Sequence, residues 1–197
     1  MSKVRNLATC IGVIAAVFLS QASANAQWVG DAQQSAQPVA NQAPAGTPPH
    51  VKQWFASYDQ IRHKAQMTPQ ERQKADNLLS KGLSILVPGD EKVSTMNLLQ
   101  SLVTKYTTAV DQMKKLPLYP ETDKLHRGYY QYFTDAKNLF SDYLKVQNNL
   151  FITDAATGKP LAGTLLTRKQ NLEALELSDK QLDGELRQTY GIAPYPW

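Results

Sequence analysis

In the stretch LHRGYYQYFTDAKNLFSDYLKVQNNLF, residues 125–151, the apolar side chains keep one spacing from end to end. Leu125, Tyr129, Tyr132, Ala136, Leu139, Tyr143, Val146 and Leu150 are separated by steps of four and three without a miss. A second line, Tyr130, Phe133, Phe140, Leu144 and Phe151, runs beside the first. Arg127, Gln131, Asp135, Asn138, Asp142, Lys145 and Asn149 fill the remaining face. Steps of three and four return a side chain to the same side of an α-helix. A helix with two apolar lines must touch two or more neighbours to hide them. The segment therefore predicts an interior helix of a bundle, and its aromatic stripe reads as packing.

The same periodicity runs through the chain from about residue 50. Trp54, Tyr58, Ile61 and Ala65 share one helical face. In MTPQERQKADNLLSKGLSILVPG, Thr68 can cap a helix, Pro69 suits its first position and Glu71 can reach back to the cap. Leu78, Leu79, Leu83 and Leu86 follow before Pro88-Gly89 stops the run. From about Glu91 to Leu116, Met96, Leu99, Val103, Tyr106, Val110 and Met113 form a heptad seam, and Pro120 is placed to open the next helix. After the Gly- and Pro-containing loop ITDAATGKPLAG, a last helix from about Pro160 to Tyr190 carries Leu161, Leu165, Leu172, Leu175, Leu182 and Leu186 along one side. Glu176–Lys180 and Asp183–Arg187 are spaced as surface ion pairs, each worth only ~0.3–0.5 kcal/mol. Gly184 inside this helix costs up to ~1 kcal/mol relative to Ala, which a close helix contact would explain. Gly191 suits a left-handed helix end, and IAPYPW (192–197) leaves as an extended tail that either folds back through Tyr195 and Trp197 or docks into a partner.

No alternating run rich in Val, Ile and Thr signals a strand, and no Asn-Gly or Asp-Gly hairpin turn occurs. Helices joined by short connections lie antiparallel. The expected fold is all-α, an elongated up-and-down antiparallel helical bundle of four to five helices over residues 50–191. Heptad seams can also pair between chains, so self-association stays open.

The beginning of the chain speaks to destination. Lys3 and Arg5 precede an apolar run from Leu7 to Leu19, followed by small residues at Ala22, Ala24 and Ala26. This is the three-part pattern of a secretory signal peptide, residues 1–26, with cleavage expected after Ala26. The apolar run falls short of the ~20 residues that cross a bilayer as a helix. Cys10 sits before most of that run, unlike the cysteine of a lipoprotein box, and it is the chain's single cysteine. Export would therefore leave no disulfide, thiolate nucleophile or cysteine metal site. Loss of Lys3 and Arg5 also lowers the formal charge from +4 to +2, and no basic run points to nucleic acid. Residues 27–49, rich in Gln, Ala and Pro and without periodicity, read as a disordered tail or envelope tether.

Chemistry is sparse. Asp59 with His63, and Asp123 with His126, could each share a helix face, yet the paired Glu-x-x-His set of di-iron bundles is missing. These four are weak metal candidates, and no cofactor is expected. The Gly158-Lys159 pair lacks the Gly and the Ser or Thr that a phosphate loop needs at positions 153 and 160. No Gly-x-Ser-x-Gly elbow occurs, and the carboxylates fall on faces expected to be solvated. A non-enzymatic reading follows: an exported interaction or scaffold module meeting an envelope or extracellular protein. The alternative is a periplasmic or secreted carrier holding a small apolar or aromatic ligand near Trp54, Tyr129, Tyr132, Phe133 and Tyr143. A carrier would require a cavity of ~300 Å³ or more between helices.

Overall fold

The structure, a computed structural model, describes residues 46–80 and 89–196, with only the backbone at 79 and 80; all belong to one unit, Ala43–Trp197. The expected signal peptide, residues 27–45 of the tail, and Leu83, Leu86 and Trp197 fall outside the described residues.

Five helices account for the unit: α1 (Pro49–Ala65), α2 (Pro69–Ser80), α3 (Asp90–Met113), α4 (Asp123–Asn148) and α5 (Leu161–Thr189). They form an up-and-down antiparallel bundle, and among the described residues there is no strand, only an isolated bridge between Thr153 and Pro160. At ~1.5 Å per residue, α5 alone is about 43 Å long, which makes the bundle elongated. The end of α3 meets the start of α4, where His126 Nε2 lies 2.8 Å from the Met113 carbonyl oxygen. The end of α4 meets the start of α5, where Arg168 bonds Asp142. Helix α1 runs against α5: Thr47 donates to the Tyr190 carbonyl, Asp59 pairs with Arg187 and Arg62 with Asp183.

Local chemistry places the ends as expected. Glu71 N–H donates to Thr68 Oγ1 at 3.2 Å and Thr68 N–H donates to Glu71 Oε2 at 2.8 Å, a reciprocal capping box. Lys105 of α3 then grips the same Glu71 carboxylate, tying α2 to α3. Gly191 takes φ +60° just past α5.

The core is aromatic. Trp54, Phe55, Tyr58, Tyr106, Tyr129, Phe133, Phe140 and Tyr143 are all buried, together with Leu99, Leu102, Leu125 and Leu139. Ring pairs knit the helices: Tyr58 sits edge-on to Tyr129 at 5.2 Å, and Tyr106 lies flat against Phe140 at 5.7 Å. The stripe of α4 is thus interior, as its spacing predicts. At the margins the spacing misleads. Helix α4 stops at Asn148, so Phe151 lies beyond it and is 87 % exposed. Asp142, expected on the solvated face, is buried.

Candidate functional site

The largest departure from the expected pattern lies on α5. Its interior face is not wholly leucine: Asp179, Asp183 and Arg187 are buried there, and Arg62 of α1 is buried opposite them. Asp183 stands between two cations. Arg62 Nη1 is 3.1 Å from Asp183 Oδ2, and Arg187 Nε donates to both Asp183 oxygens at 3.0 Å. Arg187 also grips Asp59 and donates from Nη1 to the Ala193 carbonyl at 2.8 Å. The Asp183–Arg187 pair expected at the surface is therefore interior. Its energetics change accordingly, because a buried pair broken on one side leaves an uncompensated charge.

Aromatic faces complete the enclosure. The Arg62 guanidinium lies 5.0 Å from the Tyr58 ring, 4.8 Å from Tyr129 and 3.8 Å from Tyr195. Arg187 lies 4.8 Å from the Phe55 ring. Such contacts favour cations whose hydration has been stripped. The C-terminal tail thus folds back over the bundle, one of its two expected courses, and Tyr195 is its buried anchor.

Asp179 has the least compensation. Its Oδ2 is buried without a hydrogen-bond partner. Burial pushes its carboxyl from 3.8 to about 6, against the opposing pull of Arg62. The Asp179 carboxylate packs directly on Gly128, where any side chain would overlap it. It is Gly128 of α4, not Gly184 of α5, that serves a close helix approach; a methyl at Gly184 would meet open space. The Tyr58 and Tyr129 hydroxyls are buried facing each other, and burial raises both above the usual phenol range.

A second cluster pins the α4–α5 loop. Arg168 bridges Asp142 and Asp154, while Asp154 accepts the backbone N–H groups of Ala156 at 2.8 Å and Thr157 at 3.0 Å. Those backbone bonds hold the Asp154 carboxyl below its ordinary range. The carboxylates expected on solvated faces are in these four cases (Asp142, Asp154, Asp179, Asp183) interior.

The five aromatics singled out from the sequence are not one site. Tyr129, Tyr132 and Phe133 line a common cavity with Tyr106, Arg62, Arg72, Glu176 and Tyr195. Trp54 lies elsewhere, stacked on Tyr58 at 4.8 Å, and Tyr143 is outside the cavity, its hydroxyl pushed up to about 12 by burial. The cavity is about 50 Å³ with the tail closed. That is far below the ~300 Å³ typical of sites for drug-sized ligands. A wider groove of about 430 Å³ runs between α1 and α3, lined mainly by Asn, Gln, Ser and Thr side chains.

Three of the four weak metal candidates are engaged elsewhere. Asp59 binds Arg187, Asp123 accepts from Arg127 at 2.9 Å, His126 is buried against the Met113 carbonyl, and His63 is exposed. Among the described residues no three His, Cys, Asp or Glu side chains converge as a metal set.

The helices and their interior define an all-α bundle domain with a buried aromatic core, in which no described helix is long and apolar enough to cross a membrane. No protein-family profile, curated protein or solved structure matches the chain.

Proposed function

We propose that the chain is exported and acts as a non-catalytic interaction module, meeting a protein partner in the cell envelope or outside the cell. The observation that carries this reading is Phe151, a large apolar ring 87 % exposed in the α4–α5 loop. Val93 in the first turn of α3 and Leu166 early in α5 are exposed at the same end of the bundle. Three of the five large apolar side chains exposed among the described residues thus lie toward this end, a surface that gains by being covered. The export half rests on Lys3, Arg5, the apolar run to Leu19 and the small residues at Ala22, Ala24 and Ala26. The Gln-, Ala- and Pro-rich sequence ahead of Thr47 would serve as a spacer that lets the bundle reach its partner.

Two measurements test the reading. Mass spectrometry of the protein recovered from its host should find a mature start at Gln27; an intact Met1 in the recovered protein refutes export. A photo-crosslinking residue at position 151 should give one dominant protein adduct in native cells, whereas one at Leu118, exposed at the opposite end, should not. Equal labelling from both ends refutes the proposed surface.

A further inference from the structure

We infer that the cleft under Tyr195 is a binding site for a small aromatic ring bearing a negative charge, with the chain's own C-terminal tail as the lid that fills it. This goes beyond the protein-partner reading and does not depend on it.

The cleft is already built as an aromatic box. Tyr106, Tyr129, Tyr132 and Phe133 wall the cavity, and Tyr195 closes it while resting 3.8 Å from the Arg62 guanidinium. A planar ring is what a desolvated guanidinium face favours, and Tyr195 supplies one from the same chain. The charge preference comes from Arg72. It lines the same cavity and forms no ion pair among the described residues. Glu176, the carboxylate at the rim, is paired with Lys180 at 2.7 Å, and Arg62 is paired with Asp183. Among the described residues that line the cavity, Arg72, an exposed side chain at its mouth, is thus the cation without an ion pair.

Past Gly191 the tail is held by Ile192 N–H to the Arg187 carbonyl at 2.8 Å, by Arg187 to Ala193, and by the Tyr195 ring, whose hydroxyl also reaches Gln66 at 3.4 Å. Ala193, Pro194 and Pro196 are exposed. With Tyr195 in place, the remaining 50 Å³ is too small for another ring. With it swung out, the space it occupied joins the cavity. A ligand must therefore compete with the tail, and its apparent affinity is reduced by the fraction of open molecules.

The test is calorimetric titration with 4-hydroxyphenylacetate, and with tyramine as the same ring carrying a positive charge. The Tyr195→Ala chain should bind 4-hydroxyphenylacetate about tenfold or more tighter than the unaltered chain, since the competing ring is gone. Adding Arg72→Gln should weaken that binding about tenfold, the size of one lost charge-assisted contact, and tyramine should bind less well than the acid. Equal affinity with and without Tyr195, no binding to either, or a preference for tyramine overturns the proposal. A readout on the unaltered chain removes dependence on the variant's folding. The Tyr195 ring resonances should move toward free-peptide positions as the acid is added, and resonances that stay fixed through saturation overturn the lid.

Discussion

Replacing Asp179 with Asn should stabilise the protein at neutral pH and leave it nearly unchanged in mild acid. Burial pushes the folded carboxyl up to about 6 from 3.8, and the residue is 4 % exposed. A raised carboxyl pKa means that the folded state holds the proton longer than the unfolded state. The stability it contributes is complete below the unfolded value and is lost as pH rises from about 4 to about 6. At ~1.4 kcal/mol per pKa unit, the loss is at most about 3 kcal/mol and is fully present near neutrality. The groups facing Asp179 set how much Asn recovers: Arg62 from α1 attracts the carboxylate, whereas Tyr129 of α4 offers only a neutral ring. Asn keeps the shape against Gly128 but gives up the attraction of Arg62, so the expected gain near pH 7.5 is about 1–3 kcal/mol. Urea unfolding of both proteins near pH 4.5 and pH 7.5 measures it. A variant that is less stable by the same margin at both pH values would show that the carboxylate is a needed partner of Arg62, and the reasoning fails.

Four further substitutions probe the same frame. Gly184→Ala places a methyl in open space within a helix and should raise stability by about 0.5–1 kcal/mol in urea unfolding, with an unchanged slope. Gly128→Ala drives a methyl into the Asp179 carboxylate and should cost about 1–3 kcal/mol, a loss that shrinks in the Asp179→Ser background. Arg187→Met strands the Asp59 and Asp183 carboxylates and should cost about 3–5 kcal/mol, read as a large fall in the thermal midpoint. Thr68→Ala removes half of the capping box and should cost about 1 kcal/mol, with the earliest loss of protection in amides of α2 by hydrogen exchange.

The architecture was legible because burial and helical period coincide along most of the chain. Trp54, Tyr58, Ile61 and Ala65 on α1, and the whole line from Leu125 to Val146 on α4, are interior as their spacing predicts. What escaped notice was charge on the inner face. On α5 the leucines at 161, 165, 172, 175, 182 and 186 leave two vacant steps in the three-four rhythm, at Arg168 and Asp179. Both vacancies hold charged residues that the fold uses, Arg168 to pin Asp142 and Asp154, and Asp179 against Gly128. A gap in a seam was therefore the available signal. Spacing alone could not say whether such a residue faces water or a partner, because the partners lie on other elements: Asp142 on α4 and Asp154 in the loop for Arg168, and, for Asp179, Arg62 on α1, more than a hundred residues away. Phe151 misled for a different reason: it keeps the rhythm of α4, but the helix ends three residues earlier and the ring faces outward.

Everything turns on whether the charged residues of α5 are sealed between helices. Carboxyl footprinting read by mass spectrometry reports this directly, since a carbodiimide and an amine modify only carboxylates that they can reach. Asp179, Asp183 and Asp142 should be modified far more slowly than Asp111 and Glu185, which are exposed. Modification of Asp179 and Asp183 at the rate of Asp111 would place them in water and contradict the buried seam.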